Sequence, residues 1–167
     1  VFSWLLSAAV LTSCSGFEVN EQTREELDIF PDYKGVTVPY NIAPLNFMTD
    51  CFAKGKVKVE SSDGSALVCR MRNGKVCFPV RKWRALLESA KGATLTVTVM
   101  GNDSKAYEPF EISVAEEPVD RYIAYRLIDP GYVLWNEMGI YQRDLESFRQ
   151  RAVVENRDLD HACVNCH

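Results

Sequence analysis

The last seven residues, His161-Ala162-Cys163-Val164-Asn165-Cys166-His167, hold both histidines of the chain and two of its six cysteines. Cys163, Cys166 and His167 have the Cys-x-x-Cys-His spacing of covalent haem attachment. Two thiols separated by two residues, on a helical or turn-like backbone, reach the two vinyl groups of one porphyrin. The histidine that follows offers its imidazole to the iron. The cofactor this predicts is haem c, with Cys163 and Cys166 as anchors and His167 as iron ligand. Three other uses compete. His161, Cys163, Cys166 and His167 form a Cys₂His₂ donor set for zinc, compressed into seven residues without the usual long loop between ligand pairs. A thioredoxin-like CxxC needs a helix after the motif to lower the thiol pKa. The last is a terminus with only a structural role.

A haem here would need partners from elsewhere in the chain. Met138, Met100 and Met71 are candidate thioether ligands for the second side of the iron. His161 lies too close in sequence to Cys163 to reach that far face. Arg143, Arg149, Arg151 and Arg157 are candidate partners for the propionates, since arginine pairs well with carboxylates.

Covalent haem is attached outside the cytoplasm, and the other end of the chain speaks to the same compartment. Residues 1–13, VFSWLLSAAVLTS, are apolar and uncharged. That run is shorter than the roughly 20 residues a membrane span takes. It suits the apolar region of an export signal. Leu11-Thr12-Ser13-Cys14 has the pattern of a bacterial lipobox, which predicts cleavage before Cys14 and acylation of its thiol. Two or more acyl chains anchor a protein stably to a membrane. Ser15, rather than Asp, after the cysteine points to the outer membrane. Residues 14–35 are polar and acidic and read as a tether, with room for a turn or two of helix over 22–29.

The elements between these two ends read as β. Lys56–Glu60 and Thr94–Met100 alternate with period two. Ala66–Met71 and Lys75–Val80 flank Asn73-Gly74, a strong hairpin signal. Tyr107–Val114 is a strand with Pro109 at an edge or bulge, and Tyr122–Ile128 is another. Trp83, Leu86, Leu87 and Ala90 fall at i, i+3, i+4, i+7, which predicts a helix over 80–91 closed by Lys91-Gly92. The fold class is therefore mainly β. The expectation is a small immunoglobulin- or fibronectin-like sandwich over 36–118 with one short helix. An irregular, aromatic-rich extension follows over 119–160, and then the motif at 161–167. In the extension Tyr122, Tyr125, Tyr132, Trp135, Tyr141 and Phe148 pack a core or domain junction, or line one side of a haem pocket.

A two-residue turn at Asn73-Gly74 sets Arg72 opposite Lys75, which puts Cys69 and Cys77 on opposite faces. Cys51, Cys69 and Cys77 then read as small buried residues, although an exported location permits a bridge from Cys51. With a net charge of −4 the chain is not a general nucleic-acid binder, which needs a basic face. Arg81, Lys82 and Arg84 read as a solvated helix face. No Ser-His-Asp set is available within the β region, and no phosphate-binding glycine loop is present. Glu116-Glu117 read as solvated, and Asn102-Asp103-Ser104 as an incidental sequon.

Three stretches carry a family resemblance: YNIAPLNF (Tyr40–Phe47), YIAYRLIDPGYVLWNEMGIYQRDLESF (Tyr122–Phe148) and the closing ACVNCH. Together they resemble the N-terminal part of exported bacterial lipoproteins described as TolB-like or WD40-like β-propellers with a CxxCH motif. The resemblance covers most of residues 35–167. It implies a small β domain, then the haem-type motif, then a propeller, so that the present chain would be a truncated form. The expected function is a lipid-anchored envelope protein with a haem site, possible as an electron carrier with a redox partner or other envelope proteins. The alternative is a non-enzymatic binding or scaffold module without a cofactor, and zinc binding is the third reading. No residue is assigned a role in converting a substrate.

Overall fold

The computed structural model describes residues 17–128, 138–162 and 164. The export-signal residues 1–13, Cys14, Tyr132, Trp135, Cys163, Cys166 and His167 lie outside the described residues.

Among the described residues, nine strands form one sheet and three form another. The first sheet contains β1 (Glu21–Gln22), β2 (Thr37–Pro39), β3 (Phe47–Met48), β4 (Lys54–Ser61), β5 (Ala66–Arg72), β6 (Lys75–Val76), β7 (Thr94–Gly101), β8 (Lys105–Ala106) and β9 (Phe110–Ala115). Its order runs β1-β8-β7-β4-β5-β6-β3, while β9 pairs with β7 and carries β2 on its other side. The alternation in β4 and β7 explains its centre. Val57 lies opposite Val99, and Val59 opposite Val97. All four are buried, so one face of both strands is sealed into a common core and their register is fixed.

The Asn73-Gly74 turn has both residues at positive φ (49° and 71°), as a two-residue hairpin turn of type I′ demands. Arg72 pairs with Lys75 as expected. A side chain at Gly74 would also run into the Thr49 carbonyl oxygen. Cys51, Cys69 and Cys77 are free thiols. Cys69 packs partly against the core, and Cys51 and Cys77 are exposed. Burial pushes the Cys69 thiol up; Lys82 pulls the other way and Cys77 adds a smaller upward push.

The expected strand over 75–80 stops at Val76. Pro79 has no N–H to give a ladder, and the Phe78 N–H goes to the Asn46 side chain (2.8 Å). Helix α1 (Val80–Ser89) begins instead. It buries Trp83, Leu86 and Leu87 against the sheet, with Trp83 stacked on Phe78 at 5.1 Å.

Residues 17–35 are a packed part of this unit rather than a free tether. Glu21–Gln22 pairs with Lys105–Ala106, Phe30 bridges to Met48, and Leu27 and Ile29 are buried in the core. Residues 23–29 carry no helix. Backbone pairing at both ends holds that stretch extended enough for its two apolar residues to reach the core.

The second sheet is β10 (Tyr122–Ile128), β11 (Met138–Asp144) and β12 (Gln150–Glu155), antiparallel in that order. A 3₁₀ turn at Asn156–Leu159 follows. The fold is thus mainly β and sandwich-like with one helix, as expected. The extension is more regular than expected. A register shift at Ile140/Tyr141 breaks the period-two pattern, and neither β11 nor β12 buries a continuous apolar face, so its sequence gives no clear alternation.

Candidate functional site

The second sheet is held to the first unit by a polar joint built on Asn41. The Asn41 side chain accepts from the Val119 N–H (2.9 Å). Its own amide donates to the Val119 carbonyl (2.9 Å) and to Glu146 (3.1 Å). Two residues on, the Ala43 N–H donates to the Leu145 carbonyl (2.7 Å). The segment Tyr40–Phe47 therefore does two jobs. Asn41 and Ala43 grip the second sheet, and Phe47 enters the core of the first and pairs with Val76.

Beside the joint, Arg121 donates to the buried Asp144 from Nη2 (3.1 Å) and Nε (3.4 Å). The Glu146 N–H donates to the same carboxylate (3.0 Å). The hydrogen bonds from Arg121 hold the Asp144 carboxyl below the usual carboxylate range, and they raise Arg121 in turn.

Strand alternation gives the second sheet two distinct faces. One carries Ile123, Tyr125 and Leu127 with Tyr141, Arg143 and Glu155. There Tyr125 stacks on Tyr141, and the Tyr141 hydroxyl donates to Glu155 (2.7 Å). The other carries Tyr122, Ala124, Arg126 and Ile128 with Met138, Ile140, Gln142 and Asp144, then Arg151 and Val154. On that face Arg151 donates to Gln142 (2.7 Å).

Val164 of the C-terminal motif meets this second face at Met138. Buried Asn156 accepts from the Met138 N–H through its side chain (3.4 Å) and from the His161 N–H through its carbonyl (2.9 Å). Glu155 and Asp158 close a reciprocal capping box on the 3₁₀ turn. Asp160 and His161, both at positive φ (49° and 60°), then turn the chain back. The result places Val164 in a buried position, with its N–H donating to the Met138 sulfur (3.3 Å). Val164 stands between the two motif cysteines in sequence.

Of the candidate methionines, Met138 is brought to Val164. Met71 and Met100 are buried in the first sheet. His161 is exposed at the turn. Arg149 and Arg151 line an open cleft with Arg121, Tyr122, Gln142 and Asp144. Arg143 belongs to the opposite face, and Arg157 is engaged by Glu155. Asn41, Asp144 and Asn156 have no part in the sequence expectations. They are buried or half-buried polar anchors, and periodicity does not register such residues. Among the described residues, no three His, Cys, Asp or Glu side chains come together as a metal site. No protein-family model matches the chain, and no curated protein or solved structure matches it either.

Proposed function

We propose that this protein is a lipid-anchored protein of the cell envelope that carries one covalently attached haem and passes electrons between envelope partners. Cys163 and Cys166 are the anchors and His167 the axial ligand. Cys14 carries the acyl chains and holds the protein at the outer membrane, facing the periplasm or the cell surface. On this reading the architecture follows the N-terminal part of the TolB-like or WD40-like propeller lipoproteins that the sequence resembles.

The observation that carries the reading is the seating of Val164. Attachment at a CxxCH sequence adds each thiol S–H across a vinyl double bond. In that addition sulfur bonds one carbon, hydrogen the other, and no oxidant is consumed. Val164, the residue after the first thiol, is seated by Met138, whose own N–H donates to Asn156. A haem bound there supplies a one-electron Fe(III)/Fe(II) couple, and the protein's part is to fix it and set its surroundings.

Export of the chain in a host that matures c-type cytochromes tests this directly. The expected result is an intact mass increased by one haem and an α-band on reduction, both absent from Cys163→Ser/Cys166→Ser. A colourless protein with stoichiometric zinc would put the zinc reading in its place. A second reading rests on β10, whose Tyr122, Ile123, Leu127 and Ile128 are all exposed. An apolar edge strand of this kind suits a binding or scaffold module. A protein with neither cofactor, yet retained by envelope partners, would favour it.

A further inference from the structure

We infer that the first sheet binds phosphate groups on the face turned away from α1, and that the anionic headgroups of the membrane holding Cys14 supply them. The choice of a membrane rests on the anchor proposed above, whereas the cations themselves all belong to the first sheet. Val57 and Val59 turn inward to the core that α1 shares, so strand alternation turns Lys54 and Lys56 outward. Arg72 stands opposite Lys54 on β5, and Arg70 opposite Lys56. Lys75 on β6 faces Arg72 in turn. Like charges directly opposite one another destabilise a sheet, and here three such pairs adjoin in a chain of net charge −4. Lys54, Arg70, Arg72 and Lys75 form no salt bridge with a described residue. Elsewhere in the same unit Lys34, Lys58, Lys91 and Lys105 each have a carboxylate at 3.5 Å or less.

A cleft opens among these cations. Lys54, Lys56, Arg70 and Arg72 line it together with Asn102 and Ser104 from the turn between β7 and β8, and no carboxylate of the described residues does. Asp103, in the same turn, accepts from the Lys105 N–H (3.1 Å). Residues two apart on a strand are separated by about 6.6 Å, and neighbouring strands by about 4.8 Å. Cations on that grid spread positive charge over a plane instead of focusing it on one atom, which suits an array of phosphates. Arginine meets a phosphate through two prongs, and lysine as a point charge. The path of the chain indicates which array. The Asn20 N–H donates to the Ser104 carbonyl (3.1 Å), so the segment leading back to Cys14 departs from beside the cleft. The six steps from Cys14 to Asn20 reach about 21 Å at most. An acylated Cys14 therefore keeps this cleft near the leaflet surface.

The test uses the full chain, matured in the same host, with an excess of vesicles made of phosphatidylcholine alone or mixed with phosphatidylglycerol. Acetylation of lysine amines, mapped by peptide mass, reads which face meets the lipid. Lys54 and Lys75 should react several-fold more slowly on the anionic vesicles than on the neutral ones. Lys82, on the helix that covers the other face, should react equally on both. Each basic residue near an anionic leaflet strengthens the contact about fivefold. Arg70→Gln/Arg72→Gln should therefore weaken it about 25-fold and return Lys54 and Lys75 to their neutral-vesicle rates. The melting midpoint of this variant should not fall, since opposed like charges are removed. Arg72→Gln alone, which breaks two of the three pairs, carries the test if the double variant fails to fold. Equal rates on the two kinds of vesicle, or protection that survives the double substitution, overturns the inference. Pyrophosphate that protects Lys54 and Lys75 on neutral vesicles as well as the anionic lipid does would put a soluble phosphate in the cleft and overturn the lipid assignment. Intact mass reads the anchor separately: a Cys14 without acyl chains overturns the anchor reading, and the contrast between vesicles still decides the cleft.

Discussion

The two sheets are stabilised in opposite ways. The first encloses a continuous apolar core that runs from Leu27 to Val114 and includes Trp83, Leu87, Val57, Val59, Val97 and Val99. The second buries Met138 and Val164, and its other buried anchors are polar, Asp144 and Asn156. Exposure runs the other way. Among the described residues, Tyr122, Ile123, Leu127, Ile128, Phe148, Val153 and Leu159 are large apolar residues left open in the second sheet or its loops, against Val19 and Phe30 in the first unit. A sheet of three strands with so little apolar burial draws its order from hydrogen bonds and from what it is attached to. The first sheet has an apolar core of its own, and the second leans on hydrogen bonds to it.

The largest expected effect breaks the first sheet. Trp83→Ala removes the fully buried ring stacked on Phe78, and should cost about 3–5 kcal/mol. Chemical denaturation followed by far-UV circular dichroism measures it. Because the second sheet depends on the first, both should be lost together. Survival of the C-terminal sheet's amide protection in this variant would end the idea that the second sheet leans on the first.

The reverse experiment should give a smaller and local effect. Met138→Ala removes the side chain that seats Val164 and should cost about 2–3 kcal/mol, felt in the second sheet alone. Hydrogen exchange should show faster exchange at the Val164 and His161 amides, with the β4 and β7 amides unchanged. Equal acceleration in β4 and β7 would mean that the two regions are one cooperative unit.

This asymmetry also decides how much could be read in advance. The Asn73-Gly74 turn, the alternating strands at 56–60 and 94–100 and the helix carrying Trp83, Leu86 and Leu87 are legible. In each, a buried face or a special backbone angle leaves a mark on residue type. Short parallel partners such as Thr37–Pro39 were not, because three residues show no period. Leu27 and Ile29 were hidden inside a polar stretch, and the pairing that delivers them to the core is non-local. In the second sheet β10 was legible, whereas β11 and β12 were not, since a bulge and mixed faces erase their alternation. The motif was visible from spacing alone. The polar anchors were not, because Asn41 and Asn156 act through side-chain hydrogen bonds to residues distant in sequence.

Asn41→Ala acts on the joint itself. Loss of its paired hydrogen bonds to Val119 leaves a half-buried donor and acceptor without partners, for about 1–2 kcal/mol. The expected signature is a split in the unfolding transition: the second sheet melts first and the first sheet keeps its midpoint. A single shifted transition would show the joint to be as cooperative as a core.

Acid should separate the regions more gently. Asp144 has its carboxyl held below the ordinary value, first by the hydrogen bonds from Arg121. The unfolded chain has an ordinary aspartate near pH 4. Folding therefore gains from this pair in full above that pH, and the gain disappears as pH falls through the depressed folded value. Asp63 is also lowered, chiefly by the Ser65 backbone N–H, but it sits in an exposed turn whose loosening leaves the first core untouched. Exchange measured stepwise from pH 5 downward should thus show the Leu145 and Val119 amides losing protection before those of β4 and β7, after correction for intrinsic rates. Asp144→Asn should flatten that pH dependence while lowering protection at pH 6. If the variant keeps the same acid response, the carboxylate is not what ties the second sheet to the first, and Asn41 carries the joint without it.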